Sequence, residues 1–224
     1  HAIRNSNGKL LLSATEIAQE FQKFYSTLYS KPQDAPDVII DEFLLNCNLP
    51  TLSQTDKDVL DEAISVEEIS LAIKSLNSKK SPGPDGIPAE FYKMFNTQLT
   101  PILLSLFHDF ASSTSVQVSF KEATIIVLPK PDKDLTLISN YRPISLINQD
   151  CKIYAKILAT RLSPILNQII HTDQTGFKKG RISSQNTRLI CHTLPFINKI
   201  KHPIGLLALD AEKAFDKVNW TFQN

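Results

Sequence analysis

The sequence is poor in cysteine and nearly neutral. Among 224 residues there are three cysteines, and 24 basic against 23 acidic side chains leave a formal net charge of +1. Cys47, Cys151 and Cys191 are far apart and include no Cys-x-x-Cys spacing. A disulfide framework is thereby excluded, and a reducing intracellular compartment is the simple reading. So even a charge balance says almost nothing about nucleic acid; any basic surface must come from local clustering. No apolar run approaches the roughly 18 residues of a membrane-spanning helix. Low-complexity tracts are missing as well, and 42% hydrophobic with 21% charged residues suits a globular chain with a sizeable core. The start, His1 to Ser6, has neither an initiator methionine nor an apolar signal core and reads as a cut from something longer.

What is present is ordered along the chain. Acidic excess collects between residues 34 and 68, while the centre and later part tilt basic through Lys121, Lys130, Arg142, Lys152, Lys156 and Arg161. Ser13 with Glu16 has the form of a capping box, and Ile17, Phe21, Phe24 and Leu28 then recur at helical spacing. The three prolines between Ser30 and Pro50 suggest an irregular linker. Ser53 with Asp56, and Ser65 with Glu68, start two further helices. Next comes the densest turn signal of the chain, Ser81-Pro82-Gly83-Pro84-Asp85-Gly86-Ile87-Pro88, a rigid loop with Lys79 and Lys80 at its mouth. Helices are expected around Ala89 to Phe95 and Leu99 to Phe110. His108 is a surface or satisfied histidine, since no second ligand lies at metal spacing.

Ala123 to Leu128 is short and β-branched and reads as a strand, and Tyr141 to Leu146 can return as its antiparallel partner, with Pro143 tolerated on an edge. The hairpin carries Lys130, Lys133 and Arg142, cations suited to an anion such as a triphosphate and equally compatible with a solvated charged surface. After Asp150 a helical stripe follows, with a second helix expected to begin at Pro164. His171 to Arg181 is a glycine-flanked basic loop in which Phe177, Lys178, Lys179 and Arg181 suit tracking of a nucleic-acid backbone. A helix from Ser183/Ser184 then reaches Pro195. Finally Ile204 to Leu209 reads as a buried central strand that delivers Asp210 at its carboxyl end, where α/β sites gather.

Singly these signals are weak, but their order is specific. Ser81 to Tyr92, Lys121 to Pro131, Asn140-Tyr141-Arg142-Pro143-Ile144-Ser145-Leu146, Gln174-Thr175-Gly176-Phe177-Lys178-Lys179-Gly180-Arg181 and Leu209-Asp210-Ala211-Glu212-Lys213-Ala214-Phe215-Asp216 together resemble the reverse transcriptase of LINE-type, non-long-terminal-repeat retrotransposons. The resemblance runs from about residue 65 to the end.

That resemblance implies an α/β (α+β) fold: part of a right-hand polymerase, with helical fingers, a β-hairpin and the start of the palm. Residues 1–50 would be a helix and linker preceding the polymerase, 51–170 the fingers region, and 171–224 the basic loop, a helix and the first palm strand. Asp210 matches the first catalytic aspartate, and with the Ala211 carbonyl it would hold Mg2+, or Mn2+, in a completed two-metal palm. Arg142, helped by Lys130, matches the cations that hold the incoming triphosphate. Phe215 matches the bulky gate against a ribose 2′-hydroxyl, and Asp216 is given a structural role as a turn or cap. The implied partners are an RNA template, a DNA primer and deoxynucleoside triphosphates, in the nucleus and cytoplasm, with no membrane. No counterpart of the family's paired-aspartate motif or thumb precedes Asn224, so the chain looks like an RNA-directed DNA polymerase fragment that is inactive alone. The alternatives are a non-catalytic RNA-binding module and a relic without function.

Overall fold

Ser65 and Glu68 do close a capping box in the computed structural model, which describes residues 2–30, 37–47, 50–112, 116–178, 180–200, 205 and 207–210. The Ser65 hydroxyl accepts the Glu68 N–H at 3.2 Å and the Glu68 carboxylate accepts the Ser65 N–H at 2.9 Å, which satisfies two orphan donors at the start of a helix. By compactness the chain divides into two units: His1–Ser30 with Lys57–Leu162, and Lys31–Asp56 with Ser163–Asn224.

The described elements begin with a two-residue pair, β1 (Ile3–Arg4) and β2 (Leu10–Leu11), antiparallel, followed by α1 (Ala14–Leu28) and α2 (Asp37–Asn46). Then come α3 (Gln54–Asp61), α4 (Val66–Ser75), α5 (Ala89–Met94) and α6 (Asn96–Ser112). A second, longer antiparallel hairpin of β3 (Thr124–Pro129) and β4 (Tyr141–Leu146) precedes α7 (Gln149–Ile169) and α8 (Ser184–Ile200). This mixed helical architecture with a two-stranded hairpin fits the expected fingers and palm piece. Among the described residues no helix is long and apolar enough to cross a membrane.

In the first unit, Ile69, Ala72 and Ile73 of α4 pack with Tyr92, Leu103, Phe107, Ile153 and Ile157 into one apolar core. Phe120 closes its edge, meeting Phe110 edge-on at 4.8 Å between ring centroids. His108 is satisfied, as expected, by the Ile64 carbonyl at 2.8 Å.

Five expectations need correction. Ser13 sits at the N-cap of α1 with extended backbone, but its side chain makes no cap hydrogen bond, so that capping box is not formed. The stretch from Ser30 to Pro50 is not wholly irregular, because Pro32, Pro36 and Pro50 flank the apolar run of α2 without interrupting it. Pro164 does not begin a new helix; it lies inside α7, and the boundary between the two compact units falls one residue before it, at Leu162/Ser163. Likewise α8 runs past Pro195. The last concerns the expected strand before Asp210: Gly205 and residues 207–209 have no regular structure, and Leu207 and Leu209 are exposed, while Ile204 and Leu206 lie outside the described residues. A strand needs a ladder partner for its backbone groups, and among the described residues nothing pairs there.

Candidate functional site

The register of the hairpin decides which side chains meet. Leu128 lies opposite Arg142 and Pro129 opposite Tyr141, and the ladder continues one step as the Lys130 N–H donates to the Asn140 carbonyl at 2.8 Å. Opposed residues share a face and every second residue returns to it. Lys130 and Arg142 are therefore diagonal neighbours on one face, together with Leu128. On the other face lie Ile125, Val127, Pro143 and Tyr141. That face is turned toward α1: the Phe21 ring meets Tyr141 edge-on at 5.1 Å, and a cavity of about 950 Å³ is lined by Ile17, Phe21, Tyr25, Tyr29, Ile125 and Val127. The cationic face thus points away from α1.

Arg142 is exposed, and among the described residues no hydrogen bond or ion pair engages its side chain. Lys130 is half-buried and donates from Nζ to the Ser139 carbonyl at 2.9 Å, which leaves it two further N–H donors. The connection between the strands is held by its own bonds. Asp134 accepts the Thr136 N–H at 2.9 Å and the Thr136 hydroxyl at 2.8 Å, and these bonds hold its carboxyl below the usual carboxylate range. The Tyr141 hydroxyl donates to the Leu135 carbonyl at 2.8 Å, and the Arg4 N–H donates to the Thr136 carbonyl at 2.7 Å. Arg142 therefore projects from a braced hairpin.

The Ser81 to Pro88 loop is equally fixed. Its turn is closed by the Gly86 N–H on the Gly83 carbonyl at 3.1 Å, with Gly86 at φ 72°, where a side chain is disfavoured. Glu90 accepts the Lys79 N–H at 2.6 Å, which with the nearby lysines holds its carboxyl low. Nearby, burial pushes Asp150 up, and the Asp85 charge adds to this. Tyr92 is pushed up to about 12, first by burial and then by Asp150 and Asp85.

In the second unit the basic loop is organised from beneath. Arg181 donates to the Gln174 carbonyl at 2.8 Å, to the Ile170 carbonyl at 3.2 Å and to the His171 carbonyl. Lys178 donates to the Leu166 carbonyl at 2.5 Å, and burial with the Arg181 charge lowers its pKa. Lys178 thus covers a carbonyl in the last turn of α7, where positive charge is favoured, and Arg181 covers carbonyls just after the helix ends. Phe177 stands fully exposed at φ 58°. Lys179 lies outside the described residues, as do Ala211, Phe215 and Asp216.

Asp210 is exposed, in a segment without regular structure. Among the described residues no group of three or more His, Cys, Asp or Glu side chains is placed to hold a metal. A lone carboxylate offers the right hard-oxygen donor, but the described residues do not build a two-ion site around it.

Two polar residues that the sequence did not single out organise the surroundings of these elements. Arg161, read as one more basic helix position, is a half-buried bracket: it pairs with Glu68 at 2.6 and 2.7 Å and donates to the Leu60 carbonyl at the end of α3 and to the Glu62 and Ala63 carbonyls just beyond it. Asn148, between β4 and α7, is 5% exposed and receives the Asp85 N–H at 3.2 Å. The only sequence signal for either was its place in the chain: Arg161 on the apolar-striped α7, and Asn148 at a helix start.

Comparison with known proteins bears on the whole chain. Residues 128–224 match the reverse transcriptase (RNA-dependent DNA polymerase) family. Over 95% of its length the chain is 34% identical to the transposon TX1 uncharacterized 149 kDa protein of Xenopus laevis, of which it covers 16%. It is also 29% identical over 96% of its length to the probable RNA-directed DNA polymerase from transposon BS of Drosophila melanogaster. The RNA-directed DNA polymerase from mobile element jockey of the same species is 24% identical over 97% of the chain. The chain covers 24% of each of these two Drosophila proteins, well under half the length of any of the three relatives.

Proposed function

We propose, from the premise that this chain belongs to the reverse transcriptases of non-long-terminal-repeat retrotransposons, that it is the part of an RNA-directed DNA polymerase that receives the incoming deoxynucleoside triphosphate. The family acts on nucleic-acid templates with deoxynucleoside triphosphates and uses divalent metal ions. The observation that carries the reading is the cationic face of the hairpin, with Arg142 free to form a planar fork on phosphate oxygens and Lys130 beside it as a braced point charge. The rigid ladder fixes the backbone that carries the guanidinium, so that binding a triphosphate would order the side chain alone, which lowers the cost of binding.

Asp210 is the proposed catalytic carboxylate and, with the Ala211 carbonyl, a ligand to Mg2+ that further acids must complete. Phe215 is the proposed gate against a 2′-hydroxyl. The loop around Phe177, with Lys178, Lys179 and Arg181, is proposed to lie along the RNA template and DNA primer, Arg181 acting by holding the loop in shape. An intracellular reducing setting in cytoplasm and nucleus agrees with three free thiols.

Primer extension on an RNA template, by the polymerase that carries this segment, tests the reading. Asp210→Ala should abolish synthesis, and the 224-residue chain by itself should stay at background. Full synthesis by the Asp210→Ala enzyme would mean that the catalytic acid lies elsewhere.

A further inference from the structure

Asn148 occupies the N-cap position of α7, where its carbonyl accepts the Lys152 N–H at 3.2 Å. An asparagine there ordinarily turns its side-chain oxygen to the first free N–H groups of its own helix. Here Asp150 accepts the Cys151 N–H at 2.7 Å. The Asn148 oxygen is committed instead to the N–H of Asp85, 63 residues away in the Ser81 to Pro88 loop.

The fit around that bond is close. A Cβ on Gly83 would lie 2.3 Å from Asn148 Oδ1, 2.5 Å from the Asn148 nitrogen and 2.6 Å from the Ile147 carbonyl carbon. Two of those three atoms are backbone and cannot turn aside. The loop therefore rests directly on the two residues that link the end of β4 to α7. The loop itself is stiff, with Asp85 also accepting the Ile87 N–H at 2.9 Å. Arg142 stands on β4, whose last residue, Leu146, directly precedes this contact. A strand paired along its length transmits a fixed position from one end to the other.

We infer that Asn148 is a positioning residue: its bond to Asp85, seated on Gly83, fastens the Ser81 to Pro88 loop to the base of β4 and fixes the hairpin that carries Arg142. The positioning half of this inference stands on geometry alone. Its consequence for nucleotide use rests on the reading of Arg142 as the triphosphate ligand.

Two measurements separate those parts. Amide hydrogen exchange on the 224-residue chain tests the fastening. Asn148→Ala should speed exchange of the Asp85 amide and of the β4 amides together, each about tenfold, the scale expected for one lost hydrogen bond in a locally opening segment. Asn148→Asp, which keeps the acceptor oxygen, should restore protection. Faster exchange at Asp85 with β4 unchanged would overturn the inference, as would no change at either. If Asn148→Ala fails to fold, the milder Asn148→Ser is read by the same criterion.

In the polymerase that carries this segment, Asn148→Ala should raise KM for the deoxynucleoside triphosphate about tenfold with kcat within about twofold, and should add nothing further when Arg142 is already alanine. Independent, additive losses would show that Asn148 does not act through Arg142. Should Arg142→Ala leave KM unchanged, the reading of the nucleotide site fails, while the exchange result still decides whether the loop is fastened.

Discussion

Removing the Arg161 side chain tests how the first unit is held together. Its guanidinium makes a bidentate pair with Glu68 at 2.6 and 2.7 Å, and it also covers the Leu60 carbonyl at 3.2 Å and the Ala63 carbonyl at 3.1 Å. The same Glu68 carboxylate completes the capping box of α4. Arg161 thus joins the end of α3, the start of α4 and the middle of α7 through one planar group. The Glu68 carboxyl is lowered from 4.5 to about 2, chiefly by the Arg161 hydrogen bond. A drop of about 2.5 corresponds to roughly 3 kcal/mol at about 1.4 kcal/mol for each tenfold. The Glu68 side chain keeps 30% exposure, so solvent screening reduces this to about 2 kcal/mol.

A depressed carboxylate contributes stability above its unfolded value and loses it as pH falls toward the folded one. Arg161→Ala should therefore cost about 2 to 3 kcal/mol at pH 7, allowing for the lost carbonyl bonds. The gap between variant and parent should narrow steadily below about pH 4.5 and be smallest near about pH 2. Urea denaturation followed by circular dichroism at pH 7 and at about pH 3 measures both. A loss below about 0.5 kcal/mol at pH 7, or a gap that does not change with pH, refutes the assignment.

Three further outcomes are expected. Gly83→Ala should destabilise the first unit by about 2 kcal/mol or more, because the new Cβ meets backbone that cannot move aside; a thermal melt at the parent value contradicts it. Phe21→Ala should cost about 1 to 2 kcal/mol, less than a fully enclosed phenylalanine, because its ring is half-buried against Tyr141 beside an existing cavity; denaturation measures this. Arg181→Ala should expose the 171–181 loop to limited proteolysis, since the carbonyls of Ile170, His171 and Gln174 lose their common donor, whereas Arg188→Ala, with an exposed side chain, should leave cleavage unchanged.

Much of the architecture was legible because it depends on local chemistry. The Ser65/Glu68 box, the hairpin of residues 124–129 and 141–146, and the turn-rich loop each announce themselves within a few residues. Prolines misled where their effect depends on context: Pro164 and Pro195 sit inside helices that continue through them. The positions of Arg161 and Asn148 were hidden for another reason. Their partners lie 93 and 63 residues away, and neither composition nor periodicity records a bond at that range. Phe177 and Arg181 show the reverse: the loop could be read as basic and aromatic, but not that its arginine is turned inward onto carbonyls. The run before Asp210 had the composition of a buried strand, yet composition cannot supply the neighbouring strand that such a run requires.

The most direct test of the account is the nucleotide-concentration dependence of single-turnover incorporation, on an RNA template, by the polymerase that carries this segment with Arg142→Ala. A charge-assisted, forked contact is worth about 1.5 to 3 kcal/mol, so the apparent nucleotide Kd should rise about 10- to 100-fold, with Arg142→Lys recovering only part of it. An unchanged Kd, or a loss confined to the rate at saturating nucleotide, would contradict a hairpin that receives the triphosphate.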